Sequence, residues 1–317
     1  MPKRDVRIGI DLGGTNIQAG VVVNGKVVTR DSTKTKPKDG LDAVLDRIAG
    51  LAGDVAKAHG CDLKDVTALG IGAPGAIDVK TRTVAVAVNL GWKDVPLGRL
   101  LEKKTGLPVT LDNDVNVGTW GELRGGAGQG FDDVLGLFVG TGIGGGLVLN
   151  GQLVHGHHMT AGEIGHCVMR ADAPRGRRTL EDLASRTNIV RHIVRLIETG
   201  HASELLELAD GDPARIRSKI LSKAYSRKDA LTVEVVHDAA HYIGVAIANA
   251  VTLLSLPCVI VGGGATEALG TPWIKAIRES FAAHVFPPDL GKKTKIVAST
   301  LGDDAGILGA ALLADPG

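Results

Sequence analysis

The sequence predicts an α/β protein of two lobes with a partly parallel sheet. Strand-like apolar runs alternate with helical patterns along most of the chain, which favours that architecture. One strand–turn–strand phrase is written twice, which points to duplicated domains and not to a solenoid. A length of 317 residues leaves room for two domains of ordinary size.

The first phrase, residues 8–28, organises the rest. An apolar run through Val6, Ile8 and Ile10 is broken by Asp11-Leu12-Gly13-Gly14-Thr15. Apolar residues resume over 19–23, Asn24-Gly25 supplies a two-residue hairpin signal, and a third strand follows from Lys26. Glycines in such a turn bring backbone N–H groups close to an anion, and Thr15 adds a hydroxyl donor. Asp11, at the strand end, is a carboxylate suited to a hydrated Mg²⁺. The second phrase, residues 135–154, repeats the order: apolar strand, the turn at Gly140, Thr141 and Gly142, apolar strand, Asn150-Gly151, apolar strand. Two phosphate-gripping hairpins facing across a cleft suggest a nucleotide between two lobes.

Between the hairpins, Lys34 opens a polar loop. Leu41, Val44, Leu45, Ile48, Leu51 and Val55 then recur at helical spacing, so 41–59 is an amphipathic helix. Residues 66–71 form a buried strand that ends in the turn Gly72-Ala73-Pro74-Gly75. Strand 84–88 leads to Asn89-Leu90-Gly91-Trp92, a short helix covers 96–104, and strand 109–111 runs into a helix from Asp112-Asn113-Asp114 through Glu122. Residues 153–178 lack a regular pattern, and irregular stretches of that length are usually functional or mobile. A helix opening at Thr179 carries Leu183, Ile189, Val190, Ile193, Val194 and Ile197, and further helices reach Leu256. Strand 258–261 ends in Gly262-Gly263-Gly264, and 296–297 is the last strand. Gly302-Asp303-Asp304 caps a helix of small residues, 305–314. The boundary is a hinge near residue 112: residues 1–112 form a small lobe joined by the terminal helix 303–317. Residues 113–302 form a large lobe with a helical insertion at 179–256.

Composition narrows the classes. A net charge of +1 gives no argument for nucleic acid or an acidic surface as partner. Aromatics are only 3% and glycines number 44, so the core is aliphatic and tight turns abound. Cys61, Cys167 and Cys258 form neither a disulfide framework nor a Cys-x-x-Cys pair, which fits a reducing cytoplasm. The basic start lacks the apolar segment of a signal peptide. The uncharged stretch 242–264 is cut by Pro257 and the glycines, and reads as a buried helix and strand, not a membrane span.

Asn113 and Asp114 are the main candidates for chemistry. They follow a strand and open a helix, so capping is the plain reading. A carboxylate there is also able to take a proton from an attacking hydroxyl, and phosphoryl transfer needs little more than positioning and charge neutralisation. Glu163 and His166 lie on one side of a helical turn, open to metal ligation, polyol binding or plain exposure. His155, His157 and His158 read as a solvated loop sooner than as a metal site. Glu181 is a first-turn carboxylate with Thr179 as cap. Gly262 to Gly264 read either as a bare turn or as room for an adenine.

Taken in order, Asp11-Leu12-Gly13-Gly14-Thr15, Gly72-Ala73-Pro74-Gly75, Asn89-Leu90-Gly91-Trp92, Asp112-Asn113-Asp114-Val115-Asn116, the glycine run 140–146 and Gly162-Glu163-Ile164-Gly165-His166 resemble the ROK family (repressors, open reading frames, kinases). Within it the chain is most like the bacterial glucokinases, over nearly its whole length. The resemblance implies the two-lobed actin-like, ribonuclease H-like ATPase fold, with a duplicated βββαβα-type core and an interdomain cleft. It also implies ATP, Mg²⁺, a hexose acceptor and a homodimer or homotetramer. By the same resemblance Asp114 matches the base that takes the proton of the sugar's 6-hydroxyl. Asn113, Glu163, His166 and Glu181 match residues that bind ring hydroxyls, with Gly75 and Asn89 as further sugar contacts. Asp11, Gly13, Gly14 and Thr15 match the first phosphate loop. Gly140, Thr141 and Gly142 match the second, and Gly262, Gly263 and Gly264 fall in the adenosine region.

One stretch departs from the family. Members usually carry a cysteine cluster after Glu-Ile-Gly-His that binds a structural zinc with the histidine, whereas here Cys167 stands alone in 167–178. The expectation is a loop without zinc. Asn89, Trp92 and Glu181 favour glucose. Kinases for fructose, N-acetylmannosamine, N-acetylglucosamine or allose share much of the set, and polyphosphate is an alternative donor. A sugar-responsive regulator is the reading of another class. The phosphate hairpin begins at residue 6, which leaves no room for a helix-turn-helix before it.

Overall fold

The structure, a computed structural model, describes residues 5–314; residues 1–4 of the expected small lobe and 315–317 of the expected terminal helix lie outside the described residues. Two compact units divide the chain: residues up to 132 with 146–161 and those from 300 on, and residues 133–145 with 162–299.

In the first unit, β1 (Val6–Leu12), β2 (Asn16–Val23) and β3 (Lys26–Lys34) form two successive antiparallel hairpins. Asn24 and Gly25 make the second turn at φ 51° and 71°, the left-handed pair that matches strand twist. α1 (Leu41–Ala58) crosses to β4 (Ala68–Ala73), which runs parallel to β1. Its Val44, Leu45, Ile48, Leu51 and Val55 are buried, as the helical spacing predicts. A small antiparallel sheet follows: β5 (Ala76–Asp78), β6 (Thr83–Ala87) and β7 (Trp92–Val95). β5 and β7 are not apparent in the sequence, because each is short and leaves a glycine-containing turn directly. After α2 (Leu97–Thr105), β8 (Val109–Asn113) joins β4 in parallel and completes the order β3-β2-β1-β4-β8; α3 (Asp114–Gly125) follows without a loop.

The second large sheet also has five strands. Its hairpin strands are β9 (Val134–Val139), β10 (Ile143–Leu149) and β11 (Gln152–Leu153). The expected single helix after Thr179 is two: α4 (Leu180–Ala184) and α5 (Arg186–Glu198). Ser185 breaks it, extended at ψ 150°, with its hydroxyl accepting from Asn188 N as the cap of α5. α6 (Ser218–Ser226) and the long apolar α7 (Ala230–Leu254) lead to β12 (Cys258–Gly262), which is parallel to β9. α8 (Gly264–His284) bends at Gly270, ahead of Pro272. α9 (Leu290–Lys293) and β13 (Lys295–Ala298) close the unit.

α10 (Asp304–Leu313) packs in the first unit on β1, β4 and α3. The approach is backbone to backbone: a Cβ on Gly9 would lie 1.8 Å from Ile307 O, and one on Gly309 would lie 1.7 Å from Val117 O. The expected Asp303 cap is corrected. Asp303 stands at the N-cap in helical geometry with no side-chain capping bond, and Asp304 instead pairs with Arg30 at 3.1 Å. The turn before α10 is held by Glu122 of α3, a fully buried carboxylate that accepts from Ala127 N, Thr300 N and Leu301 N at 2.8–2.9 Å.

Candidate active site

Asn113 ends β8 and caps α3: its Oδ1 accepts from Val115 N at 2.8 Å and Asn116 N at 3.2 Å. Capping leaves its amide nitrogen available, and Nδ2 donates to Gly75 O at 3.1 Å. Asp114 is the first residue of α3, with Oδ1 accepting from Val115 N at 2.9 Å. The helix N-terminus favours an anion at that position. Gly72 lets the end of β4 reach this turn, since a Cβ there would lie 2.4 Å from Val117 Cγ2 and 3.3 Å from Asp114 Cα.

Two residues before Asp114, on β8, Asp112 is buried at 5% exposure. Its Oδ1 accepts from Asn113 N at 2.7 Å and Asn116 Nδ2 at 2.9 Å, and its Oδ2 is 2.7 Å from His155 Nε2. This bond raises the His155 pKa above its ordinary value, against the opposing effect of burial. His155 is therefore not part of a solvated loop, as its grouping with His157 and His158 suggested; those two are exposed, rings edge to face at 4.7 Å. No local signal in the sequence pairs residue 155 with residue 112.

The first glycine turn is tied down by Thr35, fully buried, whose hydroxyl donates to Gly13 O at 2.6 Å and whose N–H donates to Thr15 O at 2.9 Å. Thr35 escaped notice in a polar loop. The Cβ position of Gly14 is 3.2 Å from Asn89 Cβ, so this turn and the segment of Asn89 adjoin. Gly75 needs its φ of +93°, and a Cβ there would strike Val86 O at 2.0 Å. Burial, then the charge of Asp303, pushes the Asp11 carboxyl up to about 6. Two carboxylates in that relation suit a divalent cation bound through oxygen.

The second unit holds the other predicted residues. Glu181 bends back onto the second glycine turn, where Oε2 accepts from Ile143 N at 2.8 Å; a Cβ on Gly142 would meet that oxygen at 2.3 Å. Arg186, which the sequence reading missed, donates from Nη2 to Thr141 Oγ1 at 3.0 Å and from its backbone to Gly140 O at 3.0 Å. Its Nη1 reaches Ser218 Oγ at 3.4 Å, and Ser218 Oγ lies 3.5 Å from the Cβ position of Gly264. Gly262 ends β12, and Gly263, at φ +85°, lies against Val139 O. Gly140 to Gly142 and Gly262 to Gly264 thus come together at the end of β9. Glu163 and His166 flank a single 3-10 turn with side chains 4.0 Å apart and exposed.

The donor set of the 167–178 loop does not fit a four-ligand zinc: Cys167 is its one thiol, and the described residues hold no cluster of three His, Cys, Asp or Glu placed for a metal. Backbone bonds close the loop instead, Met169 N to Arg178 O at 2.8 Å and Leu180 N to Cys167 O at 3.0 Å. Asp182 Oδ2 braces it by accepting from Arg178 N and Thr179 N at 3.1 Å each.

The ROK family pattern matches residues 7–316. The glucokinase of Halalkalibacterium halodurans is 35% identical over 308 residues, 95% of this chain and 92% of that protein. The glucokinase of Thermotoga maritima is 35% identical over 317 residues, 98% of this chain and 97% of that protein. The crystal structure of a ROK family glucokinase from Streptomyces griseus, in complex with glucose and AMPPNP, is similar at a TM-score of 0.85 and 34% identity, covering 98% of this chain and 100% of that one. A match of this extent, on a chain whose motifs stand where the fold presents them, makes the protein a member of the ROK family with its actin-like α/β fold.

Proposed function

We propose that this chain transfers the γ-phosphoryl group of ATP to the 6-hydroxyl of a hexose, glucose first, with Asp114 as the base. The observation that carries this reading is the presentation of Asp114 at the start of α3, its Oδ1 accepting from Val115 N, on a turn that Asp112 holds through Asn113 N and Asn116 Nδ2. The Asp114 carboxylate accepts the hydroxyl proton as O6 bonds to the γ-phosphorus. The bond from that phosphorus to the β–γ bridging oxygen breaks, and ADP leaves.

Asn113 offers the sugar the second hydrogen of its Nδ2, the first being engaged by Gly75 O. Glu163, His166, Asn89 and Gly75 supply further contacts to ring hydroxyls, as does Glu181 through Oε1, since Oε2 is held by Ile143 N. Gly13, Gly14 and Thr15, with Gly140, Thr141 and Gly142, take the donor phosphates; Gly262 to Gly264 take the adenosine. Asp11 would hold Mg²⁺, and the ion, when bound, would offset the charge of the donor phosphates. The 167–178 loop is kept by protein contacts alone. The chain works as a homodimer or homotetramer in the cytoplasm, without nucleic acid or membrane as partner. No helix of the described residues is long and apolar enough to cross a membrane.

The test is ADP release from Mg-ATP with a panel of hexoses and N-acetylhexosamines, for the wild type and Asp114→Asn. Asparagine keeps the acceptor for Val115 N and loses the base. The expected result is turnover with glucose that drops about 10²–10⁴-fold in the variant. Silence across the panel with ATP and with polyphosphate would overturn the kinase reading, and a variant as fast as wild type would overturn the base. One zinc per purified chain would refute the metal-free loop.

A further inference from the structure

The Asp112–His155 pair is bonded to the turn that carries Asp114, through Asn113 N and Asn116 Nδ2, and the transfer step described above does not use it. A buried carboxylate is costly unless its oxygens are hydrogen-bonded. Asp112 has three donors, two of them from its own chain segment: Asn113 N and Asn116 Nδ2, both on Oδ1. The third is His155 Nε2, from the loop after β11, and it alone holds Oδ2 among the described bonds. That loop is itself fixed. His155 O accepts from Ala161 N at 3.1 Å, and Gly156 turns the chain at φ +73°. Its next residues are Gly162 and Glu163, the start of the motif assigned to the sugar.

We propose that His155 is a positioning residue for phosphoryl transfer: its Nε2–H fixes Asp112, and Asp112, through Asn113 and Asn116, fixes the first turn of α3 that presents Asp114. This rests on the reading of Asp114 as the base. Without the histidine donor, the Asp112 carboxylate is left with an unpaired buried oxygen. It regains a partner only by rotating off Asn113 and Asn116 or by taking a proton. Either change moves the turn that carries the base, and a misplacement of about 1 Å in a reacting group costs about 10²-fold in rate. Asp112 is the charged group of β8 that faces the imidazole; His157 and His158 are its titratable neighbours on the loop.

The experiment compares His155→Leu, which has no donor, with His155→Gln, whose amide N–H is able to reach Asp112. With glucose and ATP varied in turn, His155→Leu is expected to lower kcat about 10–100-fold, as loss of a supporting contact does elsewhere, with both KM values within about threefold. His155→Gln is expected to recover most of the loss. An NMR titration of the His155 ring in wild type and in Asp112→Asn reads the pair without turnover. The midpoint lies above that of an ordinary histidine in wild type and falls in the variant. If no hexose is phosphorylated by the wild type but the midpoint still falls in Asp112→Asn, the kinase reading fails and takes the catalytic role of His155 with it, while the pair itself stands. A kcat for His155→Leu within about twofold of wild type, per folded molecule, would overturn the proposal. So would His155→Gln as slow as His155→Leu, or a midpoint indifferent to Asp112→Asn.

Discussion

In the first hairpin Asn24 and Gly25 turn the chain at φ 51° and 71°; in the second Asn150 and Gly151 do so at 52° and 71°. The two turns match in these angles, although β3 has nine residues and β11 two, and the glycines around them serve different ends. Gly9 of β1 is where α10 rests, with a would-be Cβ 1.8 Å from Ile307 O. Gly140, in the second glycine turn, has nothing within 4 Å of its Cβ position. The charges differ too. Asp11 at the first turn is desolvated and faces Asp303, whereas Glu181 at the second is hydrogen-bonded by Ile143 N. Within the repeated phrase one glycine is therefore kept for close packing of a helix and another stands in an open turn.

The largest effect separates these reasons. Gly9→Ala pushes a methyl group into the backbone of α10, which cannot yield as a flexible side chain would. It is expected to lose about 3 kcal/mol or more in denaturant unfolding. Gly140→Ala is expected to stay within about 0.5 kcal/mol of wild type. A raised KM for ATP in that variant then reports lost room for the donor and not a damaged fold. Equal stability losses at the two positions would erase the distinction.

What was legible in the sequence follows from range. The helix over 41–59 could be read because a 3.6-residue period names its own buried face, and Val44, Leu45, Ile48, Leu51 and Val55 are that face. Both Asn-Gly turns could be read because left-handed pairs need those residues. The break at Ser185 could not, since a serine within a helical pattern becomes a cap only when something holds the next turn. Here Arg186 N is held by Gly140 O, from another part of the chain. His155 was hidden for the same reason, its partner being Asp112. Asn113 shows that capping does not use up the side chain: Oδ1 caps α3, and Nδ2, which donates to Gly75 O, is the side proposed for the sugar.

The next effect has opposite signs in the two hairpins. The Asp11 carboxyl rises from 3.8 to about 6 on folding. Between about pH 4 and pH 6 the folded chain holds a proton that the unfolded chain has released, so this group's contribution falls as pH rises, and above pH 6 the full cost stands. Asp11→Asn is expected to raise stability near neutral pH by about 2 kcal/mol without added metal, and to flatten the slope between about pH 4 and 6. Mg²⁺ should stabilise the wild type and leave the variant unmoved. Glu181→Gln, by contrast, weakens a charge-assisted bond to Ile143 N and is expected to cost about 1 kcal/mol. Melting curves across pH decide the matter: destabilisation by Asp11→Asn near neutral pH would mean that its charge is already compensated within the fold.

The smallest effect tests the likeness itself. Gly25→Ala and Gly151→Ala each place a Cβ at φ +71°. A left-handed non-glycine residue costs about 1–2 kcal/mol from contact with its own backbone, wherever it occurs. Beyond that strain the surroundings add almost nothing. Gly25 has no atom within 4 Å of its Cβ position, and Gly151 has only Asp132 Oδ1, at 3.8 Å. The two variants should therefore lose the same amount to within about 0.5 kcal/mol, and the double variant their sum, because distant sites without shared partners add. Chemical denaturation of the three proteins reads this directly. A gap larger than 0.5 kcal/mol between the single variants would show that one turn is strained by what it connects, and that the matching φ angles conceal a difference in how the two copies are held.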